Sequence, residues 1–391
     1  MPSRKTKDAQ FIELSKVVDA NLLKENVKSN FLDFPDPRKW ACIYPAWYLV
    51  LIILCGYLSG CNTISDITHF AQLRQGWFAD LVGERFGAPS YDTLWRFLVR
   101  VEPKAFKELI ARWLRGLPQD LKDVVLAIDG KRLNGISENE HVCHLVELFA
   151  TERGLVIAQE KVPSKSGEVK ALPALLDSVD VRGAIVSMDA AYANIGALNE
   201  VLKRGADYIV GIKGNQGNLE AEVKNYFDQA NAIQYGSEEF KCYTSLDKGH
   251  GRIETRHVCV SRDLEWLPQR DQWNLKSLVE VRSERRTDTK IENGVLYYGS
   301  SREGTPEQFA GWIRGHWGIE NGLHYIMDVV FLEDASLSDV GHSAENMALI
   351  RRLAANVVKA FDPKRGMTDA RRNATYEPLY LTGLLGKLFI K

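Results

Sequence analysis

The sequence lacks the cysteine patterns of a disulfide-rich or zinc-finger protein. Its 6 cysteines form no CxxC pair, and none lies beside a histidine at zinc-finger spacing. Free, mostly buried thiols in a reduced cytoplasmic setting are therefore expected. The basic and polar N-terminus, MPSRKTKDAQ, precedes no apolar segment, which argues against a secretory signal.

The sequence also has almost no net charge and no convincing membrane span. With 50 basic and 51 acidic residues the formal net charge is −1, so a nucleic-acid partner can be inferred only from local clusters. The apolar run from Ala41 to Leu58 contains Pro45 and Gly56, and it is shorter than the roughly 20 residues that a bilayer requires. We predict a buried helix there and a protein without a membrane partner.

The first part of the chain, residues 1–117, is predicted to be an N-terminal helical domain. Thr63 and Ser90 precede apolar segments with helical spacing and are typical N-cap residues. The two capped helices could form a helix-turn-helix or could simply pack as part of a three-helix unit. In the first case four residues would face a DNA groove: Tyr91, Thr93, Arg96 and Arg100.

From Val124 the pattern changes to strands, and it predicts a mixed α/β fold. Three β-rich runs with short connections indicate an antiparallel meander. The apolar runs AIVSM and DYIVGI, joined through a helix, indicate parallel strands buried on both faces. We predict an α/β domain over residues 118–362 with a β-rich insertion at 214–301, a long helix from Pro306, and a peripheral tail at 363–391.

Three acidic residues lie where a carboxylate is unexpected for stability alone. Asp129 and Asp189 follow the buried-looking strand segments VVLAI and AIVSM, and each precedes a small residue. Glu320 falls on the apolar stripe of the helix after Pro306, so an α-helical reading buries it on the core-facing side. It could pair with Arg314 or Lys213, or it could join the two aspartates. Three converging carboxylates suit Mg2+, with Mn2+ able to substitute, and two-metal phosphoryl transfer.

Several blocks of the sequence resemble one known family. AIDGKRLNG, SMDAAYAN, IVGIKGNQGN, GHGRIETR and HWGIENGLHYIMDVVFLEDAS are similar to signatures of the H-repeat-associated (ISAs-type) insertion-sequence transposases. The resemblance implies a ribonuclease H-like core, a β-rich insertion between the fifth strand and the final helix, and a catalytic, metal-binding triad of Asp129, Asp189 and Glu320. It departs from the family at AAYAN, after Asp189.

Basic and polar residues near these blocks are predicted to contact DNA, and some of them have a structural alternative. Asn215 and Gln216 could hydrogen-bond DNA, or the segment could be a turn capped by Gly214 and Asn215. Arg256 could pair with Glu254 instead, and His324 could be a core residue with its hydrogen bonds satisfied. The cluster Arg282, Arg285 and Arg286 fits solvated charges on an edge strand. The predicted DNA-binding residues are Lys213, Asn215, Gln216, His250, Arg252, Arg256, Arg314, His316, Trp317 and His324.

The sequence therefore predicts a metal-dependent DNA transposase that cleaves the inverted-repeat ends of its element and transfers them to target DNA. Two ends must be held together, so a homodimer on double-stranded DNA and a cytoplasmic, nucleoid-associated location are expected. Two alternatives remain open at this point. One is a nuclease of the same chemistry without strand transfer, and the other is a degenerate protein that binds DNA without catalysis.

Overall fold

The computed structural model describes residues 25, 31, 33–39, 42–117, 120–133, 143–232, 240–249, 251–336, 338 and 340–389. His250, one of the predicted DNA-binding residues, lies outside them.

The N-terminal part is helical, as predicted. Thr63 and Ser90 both act as N-caps: their side chains accept hydrogen bonds from the backbone N–H of Asp66 and Thr93. In the described part of the chain no helix has the length and apolar character needed to cross a membrane. The helices are α1 (Ala46–Leu58), α2 (Ile64–Leu73), α3 (Gln75–Val82), α4 (Tyr91–Arg100) and α5 (Pro103–Leu114).

Helix α1 is buried, which confirms the prediction for this apolar segment. Its side chains from Tyr48 to Leu58 are almost fully covered, and it packs on a long helix near the C-terminus. In α4, Leu94, Phe97 and Leu98 are buried, whereas Tyr91, Arg96 and Arg100 face solvent. This arrangement is compatible with either prediction for the N-terminal helices.

The central sheet contains the predicted meander followed by parallel strands. The first three strands pair antiparallel, and the fourth lies parallel to the first and to the fifth, in the order 3-2-1-4-5. This order, with helices between the later strands, is the ribonuclease H-like arrangement expected from the sequence. The elements are β1 (Val125–Arg132), β2 (His144–Ala150), β3 (Leu155–Val162), α6 (Glu168–Asp177), β4 (Ile185–Met188), α7 (Ile195–Lys203) and β5 (Asp207–Ile212).

The β-rich insertion extends the same sheet. Its last strand pairs antiparallel with β5, which gives nine strands in the order 3-2-1-4-5-9-8-7-6 over the residues described. The eighth strand pairs on both sides, so the assignment of Arg282, Arg285 and Arg286 to an edge strand was wrong. The elements are α8 (Leu219–Ala232), β6 (Phe240–Gly249), β7 (Arg252–Ser261), α9 (Arg270–Trp273), β8 (Ser277–Thr287) and β9 (Ile291–Ser300).

The helix after the insertion begins as predicted, but it changes from an α-helix to a π-helix along its length. Thr305 and Gln308 form a capping box at the start of α10 (Pro306–Gly318). The segments Ile319–His324 and Ile326–Val330 are then π-helical. Because a π-helix bonds residue i to i+5, it shifts the side chains that follow out of α-helical phase.

The predicted position of Glu320 on the buried face of this stretch was wrong. Glu320 is exposed, and Trp317, which the α-helical stripe would bury, is 46% exposed. The buried residues of this stretch are instead Ile319, Leu323 and Met327. The third carboxylate is therefore accessible to solvent.

The last three helices are part of the core, so the prediction of a peripheral tail was wrong. They are α11 (Ser343–Phe361), α12 (Met367–Tyr376) and α13 (Pro378–Phe389). In α13, Leu384 and Leu385 are fully buried, and α13 packs against α11. In α12, the buried side chain of Arg371 donates hydrogen bonds to the carbonyl oxygens of Tyr57 and Cys61 at 2.8 Å.

The cysteines also differ from the prediction of free thiols. Cys242 and Cys259 are directly opposite each other on β6 and β7 and form a disulfide with a Cα–Cα distance of 4.2 Å. Cys55, Cys61 and Cys143 are buried thiols, and Cys42 is exposed and is not part of a disulfide. A contact across two strands cannot be recognised from spacing along the chain.

Candidate active site

Asp129 and Asp189 lie side by side where the parallel pairing of β1 with β4 ends. Ile128 of β1 is in register with Met188 of β4, and each aspartate is the next residue. The side chain of Asp129 is 20% exposed and that of Asp189 is 56% exposed. The pairing of β1 with β4 thus places the two carboxylates next to each other at one end of these strands, where both are accessible to solvent.

The helical stretch that contains Glu320 contacts the two aspartates through two histidines. His316 Nε2 lies 3.6 Å from Asp189 Oδ1, and His324 Nδ1 lies 3.7 Å from Asp129 Oδ2. Glu320 is midway between these histidines in sequence, and the segment Ile319–His324 packs against β1. The contacts of this helical stretch with the two aspartates are therefore made by the histidines on either side of Glu320.

Glu147 supports this arrangement from inside the protein. It is the partner of Asp129 in the β1–β2 register and is fully buried. One carboxylate oxygen lies 3.0 Å from His324 Nε2 and the other accepts a hydrogen bond of 2.6 Å from Arg352 Nε. Glu147 therefore fixes the ring of His324, so that its other nitrogen faces Asp129.

The electrostatic environments of the two aspartates differ. Burial raises the pKa of Asp129 above its ordinary value, although His324 opposes this shift. The neighbouring His316 imidazole holds the pKa of Asp189 below its usual value. For His324, burial opposes protonation, but the hydrogen bond and charge of Glu147 together with Asp129 raise its pKa overall. A cationic imidazole is thereby favoured beside the buried aspartate.

Lys213, Asn215 and Gln216 lie beside Asp189, at the end of β5. The side-chain amides of Asn215 and Gln216 both donate hydrogen bonds of 2.9 Å to the backbone carbonyl of Ala190. Gln216 Oε1 in turn accepts a hydrogen bond from Lys213 N at 2.8 Å. In this structure the two amides therefore hold the turn that follows Asp189, and the exposed Lys213 side chain contributes positive charge.

Two of the predicted DNA-binding arginines converge on Asp247 of β6. Arg314 of α10 forms an ion pair with it, and Arg256 Nη1 lies 3.3 Å from the same carboxylate. Arg256 also contacts Glu254 at 2.7 Å, which is the structural alternative considered from the sequence. The ion pairs join the insertion to the helix that precedes Glu320. Arg252, on the same strand, is exposed.

Three polar residues at this site were not predicted from the sequence. Glu168 of α6 and His144 of β2 form a buried pair at 2.6 Å beside Gly130. The hydroxyl group of Tyr192, in the turn after Asp189, is buried and has no hydrogen-bond partner among the described residues. Burial raises the pKa of this hydroxyl group, and the nearby negative charges of Glu168, Asp129 and Asp189 raise it further. Only their positions in the fold reveal them.

The donor set fits a hard divalent cation. Carboxylate oxygens on accessible side chains are the ligands that Mg2+ and Mn2+ prefer, and such ions retain water as further ligands. The orphaned Tyr192 hydroxyl is a polar group that a water molecule at this site would satisfy. Asp129 and Asp189 are side chains of this kind, and the sequence predicts Glu320 as a third.

The sheet order 3-2-1-4-5, with Asp129 within β1 and Asp189 directly after β4, defines a ribonuclease H-like core. The family described as "Transposase DDE domain" matches residues 120–357, and its associated region, "DDE_Tnp_1-associated", matches residues 28–114. This chain belongs to the family of DDE transposases. Membership implies a DNA-cleaving enzyme that uses a divalent metal.

Relatives with similar lengths support this assignment. The chain is 32% identical over 365 residues to the "H repeat-associated putative transposase YhhI" of Escherichia coli (strain K12), covering 90% of this chain and 95% of the relative. It is 28% identical over 346 residues to the "Putative transposase YncI" of Escherichia coli O157:H7, covering 86% and 88%. The resemblance noted in the sequence is thereby confirmed.

Proposed function

We propose that this chain is an insertion-sequence transposase that cleaves the inverted-repeat ends of its own element and joins them to target DNA. Asp129, Asp189 and Glu320 are the proposed catalytic triad and hold Mg2+, or Mn2+ in its place. The observation that carries the proposal is the pair of histidine contacts, from His316 to Asp189 and from His324 to Asp129. They support the proposal because they bring the helical stretch that contains Glu320 to the two aspartates.

Each residue has a distinct task in this proposal. When bound, a pair of divalent ions activates the attacking hydroxyl group and stabilises the leaving oxygen of an in-line phosphoryl transfer. Asp129, Asp189 and Glu320 would hold these ions beside the reacting phosphate. Glu147 keeps His324 turned toward Asp129, where its positive charge can face a DNA phosphate.

The proposed DNA-binding residues lie on the elements around this site. Lys213 lies at the end of β5, and Arg252 and Arg256 are on β7. Arg314, His316 and Trp317 precede Glu320 on α10, and the 46% exposed indole of Trp317 is available for stacking on a base or sugar. Asn215 and Gln216 support the turn after Asp189. Transposition joins two ends, so we propose that two copies of the chain act together on double-stranded DNA.

The test uses duplex DNA that ends in the inverted repeat of the element, incubated with the full-length protein and Mg2+ or Mn2+. The wild type should release the 3′ end and, with target DNA present, give joined products. Asp129→Asn, Asp189→Asn and Glu320→Gln should give no product above background while still shifting the duplex in a gel. Glu307→Gln is a matched control, since Glu307 is an exposed glutamate in the first turn of the same helix.

The products distinguish the proposal from its alternatives. Cleavage without any joined product at any target concentration would indicate a nuclease. Binding without turnover in either metal would indicate a degenerate DNA-binding protein. Equal cleavage by wild type and Glu320→Gln would remove Glu320 from the triad.

A further inference from the structure

The insertion has a cluster of potential metal ligands that is separate from the proposed active site. Cys242, His257 and Cys259 each offer one ligand atom, and these atoms lie within 4.8 Å of one another. Three strands, β5, β9 and β8, separate this part of β7 from β4 and Asp189. We propose that in the reduced protein these three residues bind a Zn2+ ion.

The cluster follows from the register of β6 and β7. Cys242 pairs with Cys259, and Thr244 pairs with His257. Residues two apart on a strand point to the same face, so all four side chains share one face of the sheet. The antiparallel pairing thus brings together ligands that are 17 residues apart in the case of the two cysteines.

The residue types suit zinc and not the cation of the active site. Thiolate and imidazole are the usual ligands of Zn2+, whereas Mg2+ prefers oxygen. Three protein ligands leave one tetrahedral position, which we assign to water because the neighbouring carboxylate of Glu280 is engaged by Arg282 at 2.8 Å. Thr244 Oγ1 lies 2.8 Å from His257 Nδ1. Such a contact orients an imidazole whose other nitrogen binds the metal.

The two sulfur atoms form a disulfide in the structure, so metal binding requires reduction. A trialkylphosphine with one water molecule breaks the S–S bond: the phosphine is oxidised to its oxide, and the two sulfurs become thiols. Binding of Zn2+ then releases one proton from each thiol as two S–Zn bonds form. Oxidation would expel the metal, and either state ties edge strand β6 to β7.

The experiment is a Co2+ titration of the full-length protein after phosphine reduction and desalting under argon. Cobalt bound to thiolate gives a charge-transfer absorption in the near ultraviolet that cobalt on carboxylates does not give. We expect this band to saturate at one Co2+ per chain and to disappear when Zn2+ is added. Cys242→Ser and Cys259→Ser should abolish the band. Thr244→Val should weaken binding by about 10- to 100-fold, and His257→Ala by at least as much.

Two controls keep the result interpretable. Cys42→Ser removes an exposed thiol elsewhere in the chain and should leave the titration unchanged. Because a variant can misfold, zinc-edge X-ray absorption of the wild-type protein provides an independent ligand count, with two sulfur neighbours expected. Absence of the charge-transfer band in fully reduced wild type, or an unaltered titration in His257→Ala, would overturn the site and leave only a disulfide.

Discussion

At the scale of single residues, the backbone beside Asp129 has little room. Gly130 follows Asp129 on β1, and a Cβ atom at this position would collide with the carboxylate of Glu168 and approach His144 Nε2 to 2.7 Å. Both partners are buried and bound to each other, so neither can move without losing that contact. Glycine is therefore required at this position by the buried pair behind the strand and not by a special backbone angle.

We accordingly expect Gly130→Ala to destabilise the protein by about 1–3 kcal/mol, the usual cost of overpacking a core. Urea unfolding measures this change in free energy. Gly249→Ala is the matched strand control: a Cβ there meets no heavy atom within 4 Å, so its effect should stay within about 0.5 kcal/mol. Equal effects of the two substitutions would contradict the proposed collision.

At the scale of elements, one buried side chain of α12 connects three other segments of the chain. Arg371 donates to the carbonyl oxygens of Tyr57, Cys61 and Val330 and lies 4.2 Å from the centre of the Phe331 ring. These carbonyls come from the end of α1, the turn after it and the end of the π-helical stretch. The arginine thus joins the N-terminal helices to the helical stretch that carries Glu320.

Replacement of the Arg371 guanidinium group should destabilise the fold even when the positive charge is kept. Lysine has a single ammonium group and cannot reach three carbonyls, and each buried carbonyl left without a donor costs about 1–3 kcal/mol. Arg371→Lys should therefore lower the urea midpoint clearly. The neighbouring exposed Arg372, which pairs only loosely with Asp369 at 3.6 Å, provides the control Arg372→Lys with almost no change. A similar midpoint for both variants would refute the role of Arg371.

At the scale of the whole molecule, a buried charge network connects the proposed active site to the C-terminal helices. Arg352 of α11 binds Glu147 of β2 and, through a second pair of contacts, Glu333. Lys131 of β1 also reaches Glu333, at 3.3 Å. Burial alone would raise the pKa of Glu147, but Arg352 and His324 outweigh it and lower this pKa from its ordinary 4.5 to about 2.

Because the pKa of Glu147 is lower in the folded than in the unfolded state, the free energy of unfolding depends on pH. Glu147 stabilises the fold above its unfolded pKa, and that contribution is lost as the pH falls from 4.5 to about 2. Glu147→Gln should cost about 3–5 kcal/mol at neutral pH, because Arg352 and His324 lose a buried counter-charge. Its deficit relative to wild type should shrink as the pH falls through this window.

Unfolding free energies measured at a series of pH values test this expectation. Glu152→Gln, in the exposed β2–β3 turn, is a control that should remain within about 0.5 kcal/mol of wild type. A deficit that stays constant down to the acid limit would show that Glu147 is not the titrating partner.

Local sequence patterns predicted the strand segments with their antiparallel or parallel pairing, the helix caps and the two aspartates after apolar strand runs, because these depend on periodicity and on residue types next to each other. Only tertiary contacts decided the exposure of Glu320, the embedding of Arg371, the pairing of Cys242 with Cys259 and the link from Glu147 to His324. Each of these depends on packing between segments that are distant in the chain. Spacing within one segment contains no information about such contacts.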